Sequence, residues 1–489
     1  MEIVRKAAVN WNKFAWYEEN INSSKPTHRF DAGADEESRN IDIPQISLDS
    51  IKQHKIKYSF FNLSRKYDDM EIVYNTASEA VIALSNNEGE VVRRYNEDAS
   101  YLPENVDLLE TLYEMGIYVR EDDTEMDKVH LIRKRTMVLE RGVKSFIICP
   151  TYECNARCFF CFAHDDVKHS FRMTFKTADE VLDFVYRQVR KDDEVIFIWF
   201  GGEPLIAEDV IDYIIGHFDA HYKGKVKYSS VFQTNGSLLT DELLEKAIKV
   251  WHTKDFQISI EAYQQEHDKR KNYRVKNTNQ YELVLKNIDR ITGKGVHCLV
   301  RLHLDNRNVG DYTKILDDLL QFRDRPSFQL YTTTLHVPEH VTKFDNYVHF
   351  KQFNEFYRII FKEMFARGFY SEIGQILPQR KMIRCVARSM NSFLIGADGK
   401  LFRCEQENHD DEHCVGDCKT GVVHNEHLAI FMDMDVNKEC TGCKYMPICQ
   451  GGCKYYWLRN NPDISPCVRQ VHYMDTIFDM VHEWLVKNK

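Results

Sequence analysis

No apolar run in the chain reaches about 18 residues, so no segment is long enough to cross a membrane as a helix. The start, Met1 to Lys13, lacks the apolar stretch and small-residue cleavage site of a secretory signal, and it does not read as a transit peptide. Positive charge is not in excess: 65 Lys and Arg against 75 Asp and Glu leave a net charge of −10, which opposes a generally basic nucleic-acid-binding surface. Cysteine is scarce, 14 in 489 residues, too few for a disulfide scaffold. The expectation is a cytoplasmic protein, where thiols stay reduced and clustered cysteines bind metal or do redox chemistry. What the chain does have is 43% hydrophobic and 12% aromatic residues, enough to bury cores in two or three domains.

Four regions follow from texture. Residues 1–55 are polar and uneven, with an acidic stretch from Asp31 to Glu37, and read as a loosely packed extension. Residues 56–140 carry strand-like Tyr58–Asn62 and Met70–Tyr74, helix-like Ala77–Leu84 and Asp107–Met115, and strand-like Ile117–Val119, a pattern that suits a small winged-helix-like binding module. Residues 141–375 alternate strand and helix six times, with strands over 145–149, 194–200, 227–233, 255–261, 297–304 and 327–335, the signature of parallel βα units in an α/β partial (β/α)6 barrel. Residues 376–489 hold nine cysteines, Cys385 to Cys467, and little periodic apolar sequence before a closing helix over 468–486; so small a core is normally held by metal.

In such barrels the reacting residues sit just after the strands. After the first strand stands Cys154-Asn-Ala-Arg-Cys158-Phe-Phe-Cys161, three thiols on one tight loop, enough to hold three irons of a [4Fe–4S] cluster and leave the fourth open. A zinc site with a distant fourth ligand is the competing reading. Gly201-Gly202-Glu203-Pro204 follows the second strand, where glycines allow close backbone approach and Glu203 brings charge for an ammonium. Asn235 follows the third strand, and Ser259-Ile-Glu261 closes the fourth, with His267-Asp268 and then Arg270-Lys271 beyond it.

This set resembles the radical S-adenosylmethionine (SAM) superfamily over the whole barrel. The resemblance implies a cluster on Cys154, Cys158 and Cys161 that cleaves SAM to a 5′-deoxyadenosyl radical, with Phe160 beside it. It also implies that Gly201, Gly202, Glu203 and Pro204 line the SAM amino group, and that Asn235, Ser259 and Glu261 lie along the cofactor. Glu261 and Ala262 depart from the family's Asp and Gly; Arg270 or Lys271 stands nearest the family's later Arg, and Arg301 is either a cofactor contact or a salt-bridge residue.

The second constellation is Cys385-x18-Cys404, then Cys440-x2-Cys443-x5-Cys449-x3-Cys453, then Cys467. It resembles the SPASM domain of radical SAM peptide maturases, which carries two auxiliary [4Fe–4S] clusters. The resemblance assigns Cys385, Cys404 and Cys453 to the first and Cys440, Cys443, Cys449 and Cys467 to the second. Sulfatase-maturing relatives have a further Cys where this chain has Asn391; Cys414 or Cys418 could complete the first site, or a substrate thiolate could. His409, His413, Cys414 and Cys418 could alternatively form a small zinc site. Glu405 occupies the place of an acid–base Asp.

The implied protein is an oxidoreductase that modifies a ribosomally made precursor peptide, supplied with electrons by a flavodoxin or ferredoxin-type donor, with no nucleic acid and no membrane as partner. A thioether from a peptide Cys is the favoured product. Carbon–carbon or carbon–oxygen cross-linking and formylglycine formation on sulfatases are the alternatives, and a zinc-stabilised binding protein is the non-enzyme reading.

Overall fold

A computed structural model of the chain describes residues 1–6, 48–98, 100–104, 106–139, 143–161, 171–275, 279–335, 347–381, 385–408, 410–433, 435–459 and 464–488. The acidic stretch Asp31 to Glu37 and His409 lie outside the described residues.

Four antiparallel strands open the chain in the order β1-β5-β4-β3: β1 (Glu2–Arg5), β3 (Asn62–Lys66), β4 (Met70–Asn75) and β5 (Val81–Ser85), with β2 (Ile56–Tyr58) and β6 (Tyr118–Arg120) paired beside them. Among the described residues of the first 55 there are a strand, β1, and a short helix, Leu48–Lys52. The helix expected over 77–84 is instead a turn and strand β5. The helix begins after it, Asn86–Glu97, because Ser85 and Glu88 form a reciprocal capping box. Likewise the run from Tyr58 to Asn62 is broken between two strands: the Ser59 hydroxyl accepts from the Phe61 N–H at 3.2 Å and donates to Glu125 at 2.5 Å, turning the chain there. Alternation along β4 divides this sheet between two cores, Ile72 and Tyr74 into the main core and Val73 into the module's own.

The six expected parallel strands are present as β7 (Val143–Thr151), β8 (Glu194–Gly201), β9 (Lys227–Thr234), β10 (Thr253–Ile260), β11 (His297–Leu304) and β12 (Phe328–Thr334), neighbours in chain order. Helices Phe175–Gln188, Glu208–Tyr222, Asp241–Lys249, Gln280–Gly293, Tyr312–Leu319 and Phe353–Ala366 follow them. Along β8, Val195, Phe197 and Trp199 are fully buried under these helices, while Ile198 and Phe200 face the other way.

Two short strands lengthen this sheet beyond the expected six. β13 (Ser392–Ile395) pairs in parallel with β7 and antiparallel with β14 (Leu401–Phe402), so the cysteine-rich region is hydrogen-bonded directly to the first barrel strand. A hairpin of β15 (Gly416–Asp417) and β16 (Gly421–Val422) follows, and the closing segment is a turn, Arg469–His472, leading into the helix Met474–Asn488. No helix among the described residues is long and apolar enough to cross a membrane.

Candidate active site

The ends of β7 and β8 are locked together by backbone. Gly202 N–H donates to the Thr151 carbonyl at 3.0 Å and Glu203 N–H to the Glu153 carbonyl at 2.8 Å, joining the start of the cysteine loop to the Gly-Gly turn. A Cβ on Gly202 would stand 2.2 Å from the Glu153 oxygen, and one on Gly201, whose φ is +112°, 2.4 Å from the Thr151 oxygen. Both glycines are thus required by the chain itself, at the root of the Cys154 loop.

Glu203 is fully buried. Its carboxylate accepts from the Thr234 hydroxyl at 2.7 Å, Asn235 N–H at 2.8 Å and Leu205 N–H at 3.2 Å, capping the turn that begins at buried Pro204. Burial raises its pKa against these donors. Asn235 donates to the Asn155 side chain at 2.7 Å, and Asn155 donates to Ser237 at 2.8 Å, which ties the loop between Cys154 and Cys158 to the end of β9. Asn155 and Ser237 are positioning groups that sequence reasoning passed over.

The three thiols share this loop. Burial pushes Cys154 up to about 11, with Glu203 and Cys161 adding to it, and pushes Cys158 higher still against the opposing charge of Lys271. Lys271, 5% exposed, sets its ammonium 2.7 Å from the Ser259 hydroxyl and 3.2 Å from Glu261. Arg157 N–H donates to the Lys271 carbonyl at 2.9 Å, so the lysine and the cysteine loop are also joined by backbone. His303 completes the group, its Nδ1–H donating to both Glu261 oxygens at 3.0 and 2.9 Å. Burial would raise Glu261, but the Lys271 charge and the hydrogen bond from His303 outweigh it and hold the carboxyl well below the usual range; burial pushes His303 itself down to about 4, a neutral imidazole. The Phe160 ring lies edge-on to His303, centroids 6.2 Å apart. Alternation could have found His303: it lies two residues beyond Arg301 on β11.

The two arginines have other partners. Arg270 pairs with buried Asp305 at 2.5 Å and lies over Phe159. Arg301 stands over Tyr331, ring centroid 5.9 Å away, and faces Glu405, whose carboxyl is raised by burial against Arg301 and a hydrogen bond from Gln233.

In the C-terminal region the cysteines fall into neighbourhoods. Burial pushes Cys404 well up, with Glu407, Cys385 and Cys453 adding to it. Burial pushes Cys440 to about 11, with Cys449 and Cys443 reinforcing it, and Cys467 is hydrogen-bonded to Cys449. Gln450, Gly451 and Gly452 all take positive φ; a Cβ on Gly452 would meet the Pro466 carbonyl at 2.6 Å, and Cys453 N–H donates to that carbonyl at 2.8 Å. This turn brings the Cys449–Cys453 segment against Cys467. Cys414 donates to its own turn at Gly416 and packs against the small core that holds Cys149, and Cys418 is buried in the main hydrophobic core. Asn391 is bound to β7, its carbonyl accepting from Ser145 N–H and its side chain from Lys144. Cys149 and Cys298 are fully buried.

Among the described residues no three His, Cys, Asp or Glu side chains converge on the place of one metal ion. An iron–sulfur cluster takes one thiolate per iron, so it calls for thiols grouped on one surface rather than meeting at a point. The three-thiol loop beside buried Lys271 fits that requirement, and so do the groupings around Cys404 and Cys440.

Residues 148–319 match the Radical SAM superfamily model, so the chain contains a radical SAM domain. It is similar to an uncharacterised protein of Methanocaldococcus jannaschii, MJ0907, 30% identical over 106 residues, 22% of this chain and 35% of that protein. The radical SAM cyclopropyl synthase TigE of Paramaledivibacter caminithermalis is 24% identical over 155 residues, 28% of this chain and 32% of TigE. The chain thus matches about a third of the length of each of these curated relatives. Among solved structures, anSMEcpe with bound AdoMet and the Cp18Cys peptide superposes with a TM-score of 0.54 at 16% identity, covering 71% of this chain and all of that one.

Proposed function

We propose that the chain is a radical SAM enzyme that oxidatively modifies a peptide. What carries the reading is the grouping at the strand ends within the radical SAM domain: three thiols on the loop after β7, rooted on the Gly201–Glu203 turn and faced by the Lys271–Ser259–Glu261–His303 chain. Cys154, Cys158 and Cys161 would hold a [4Fe–4S] cluster, which with SAM supplies a radical able to take hydrogen from an unactivated carbon. Lys271 is the buried cation placed to receive the SAM carboxylate. Glu261 orients Lys271 and His303; Phe160 flanks them.

The cysteine-rich region is read as a SPASM domain with two auxiliary clusters, one on Cys385, Cys404 and Cys453, the other on Cys440, Cys443, Cys449 and Cys467. The first retains three thiols, since Cys414 and Cys418 have other surroundings and Asn391 is bound to β7. An open ligand position there would accept a peptide thiolate, which favours a Cys thioether. Glu405, raised by burial, is the candidate proton acceptor. The resemblance to TigE, a cyclopropyl synthase, favours a second reading, carbon–carbon bond formation on the same scaffold. The peptide ligand of anSMEcpe supports a peptide substrate, and a cytoplasmic ferredoxin or flavodoxin would supply electrons.

Anaerobic reconstitution tests the reading: about 12 irons per chain, four per cluster, with SAM cleavage under reductant, is expected. Zinc without iron would overturn it. A peptide product two hydrogens lighter with its Cys thiol lost marks a thioether; the same mass loss with an intact thiol marks a carbon–carbon or carbon–oxygen bond.

A further inference from the structure

One buried side chain ties the Cys154 loop to the Cys404 loop. Tyr152 follows β7 directly, and its ring, 4% exposed, packs with Leu394 of β13, Phe402 of β14 and Ala397 in the turn between those strands. The phenol hydroxyl donates to the Asn408 carbonyl at 2.8 Å. A Cβ on Gly396, in the same turn, would stand 2.5 Å from that hydroxyl oxygen, so only glycine leaves the phenol its place.

Asn408, 1% exposed, makes a second crossing: its Nδ2 donates to the Cys149 sulfur at 3.4 Å, three residues before Tyr152. Glu407 N–H donates to the Cys404 carbonyl at 3.0 Å, which draws Cys404 to Asn408 into a tight turn, and the Glu407 carboxylate is paired with His427 at 3.0 Å. The tyrosine is equally fixed at its backbone. Its N–H donates to the Phe171 carbonyl at 2.8 Å, Glu153 N–H donates to the Thr151 hydroxyl at 3.0 Å, and a Cβ on Gly202 would meet the Tyr152 carbonyl at 2.5 Å. Cys404 lies four positions before Asn408, and Cys154 two positions after Tyr152. Between them stands a close-packed ring, so a displacement at either loop is passed to the other.

We propose that Tyr152 and Asn408 form a strut between the Cys404 and Cys154 loops, through which iron at the Cys385, Cys404 and Cys453 group and SAM binding at the strand-end site favour each other. This rests on the iron–sulfur reading above. Iron on Cys404 would fix the turn that ends at Asn408, and the strut then holds the root of the Cys154 loop in its binding arrangement, so that SAM binds a larger competent fraction. Tyr152 is a positioning residue, acting on SAM through the loop it precedes. Linkage makes the effect reciprocal: SAM at the strand ends orders the Cys404 turn to the same degree.

The test uses the full chain, reconstituted anaerobically with iron and sulfide, with SAM as the probe. Equilibrium dialysis is expected to show C404A weakening SAM binding about tenfold in the parent chain and less than about threefold in Y152F, the non-additivity of two groups on one path. Equal loss on both backgrounds overturns the proposal and leaves the iron–sulfur reading standing. Hydrogen exchange needs no cysteine variant: SAM is expected to slow exchange over Cys404–Asn408 at least about threefold in the parent chain and not in Y152F. Unchanged exchange in the parent, or the same slowing in Y152F, overturns the proposal equally. A chain that takes up no iron sinks both.

Discussion

The strand-end site and the cysteine-rich region hold their thiols by different means. Cys154, Cys158 and Cys161 stand on a loop that protein groups already define: Gly202 and Glu203 bind its root, Asn155 and Arg157 bind its middle, and Lys271 closes one side. Cys440, Cys449 and Cys467 stand on short turns between Lys438 and Gln470, where the longest described helix before the closing one is six residues, Lys454–Arg459. One site is built by hydrogen bonds, and on the proposed reading metal would merely fill it. The other has little regular backbone among its described residues, and there bound metal would supply the missing constraint.

Removing iron should therefore separate the two most sharply. Chelation under denaturant-free conditions is expected to open 385–467 to proteolysis while β8 and β9 remain protected in hydrogen exchange; equal loss in both regions would break the contrast.

Next in size is Lys271→Met. Within the first site it leaves Glu261 buried with only His303 for support, and breaking such a buried pair costs about 3–5 kcal/mol. The denaturation midpoint should fall accordingly, and SAM binding measured by equilibrium dialysis should be lost even in the folded fraction. Lys271→Arg should recover folding more than binding.

Gly202→Ala comes third. Its methyl group would collide with the Glu153 and Tyr152 carbonyls at 2.2 and 2.5 Å, and the backbone shift needed to relieve such overpacking costs about 1–3 kcal/mol. The expected signature is a modest drop in thermal midpoint joined to loss of iron from the SAM-type cluster alone. Auxiliary signals should survive in EPR.

Much of this was legible from spacing. The six parallel strands follow from alternation of strand-like and helix-like runs, and the Cys154 loop, the Gly201–Pro204 turn, Ser259 and Glu261 all fall where strands end. What escaped were contacts made across the chain. β13 joins the sheet through only four residues, too short to read as a strand without its partner β7. Residues 81–84, Val-Ile-Ala-Leu, carry no period that separates helix from strand; the Ser85–Glu88 capping box, overlooked, marks the boundary. Arg270 reads as a ligand for a carboxylate, and it is one, but the carboxylate is Asp305, far along the sequence. Alternation along β11 points to His303 as a position, but its partner Glu261 is 42 residues away, as the partner of Asn155 is 80 away, and no local pattern announces the pairing.

The smallest effect concerns the protonation of the first site. His267 is fully buried, its Nδ1 accepting from Glu261 N–H at 3.1 Å, and burial lowers it from an ordinary 6.5 to about 3. The folded chain thus keeps this ring neutral where the unfolded chain takes up a proton. Its contribution is complete above about pH 6.5 and is lost progressively as pH falls toward 3, with a slope of at most about 1.4 kcal/mol per pH unit from this one ring. His303, lowered to about 4, adds a loss of the same sign. Urea titrations of the iron-free chain at pH 7, 6 and 5, followed by Trp fluorescence of the buried Trp199 and Trp251, should show stability falling with acidity. In His267→Asn the stability at pH 7 should be lower and the slope shallower. A slope equal to that of the parent would mean that the strand-end site does not hold the ring neutral by itself, and the contrast with the cysteine-rich region would weaken.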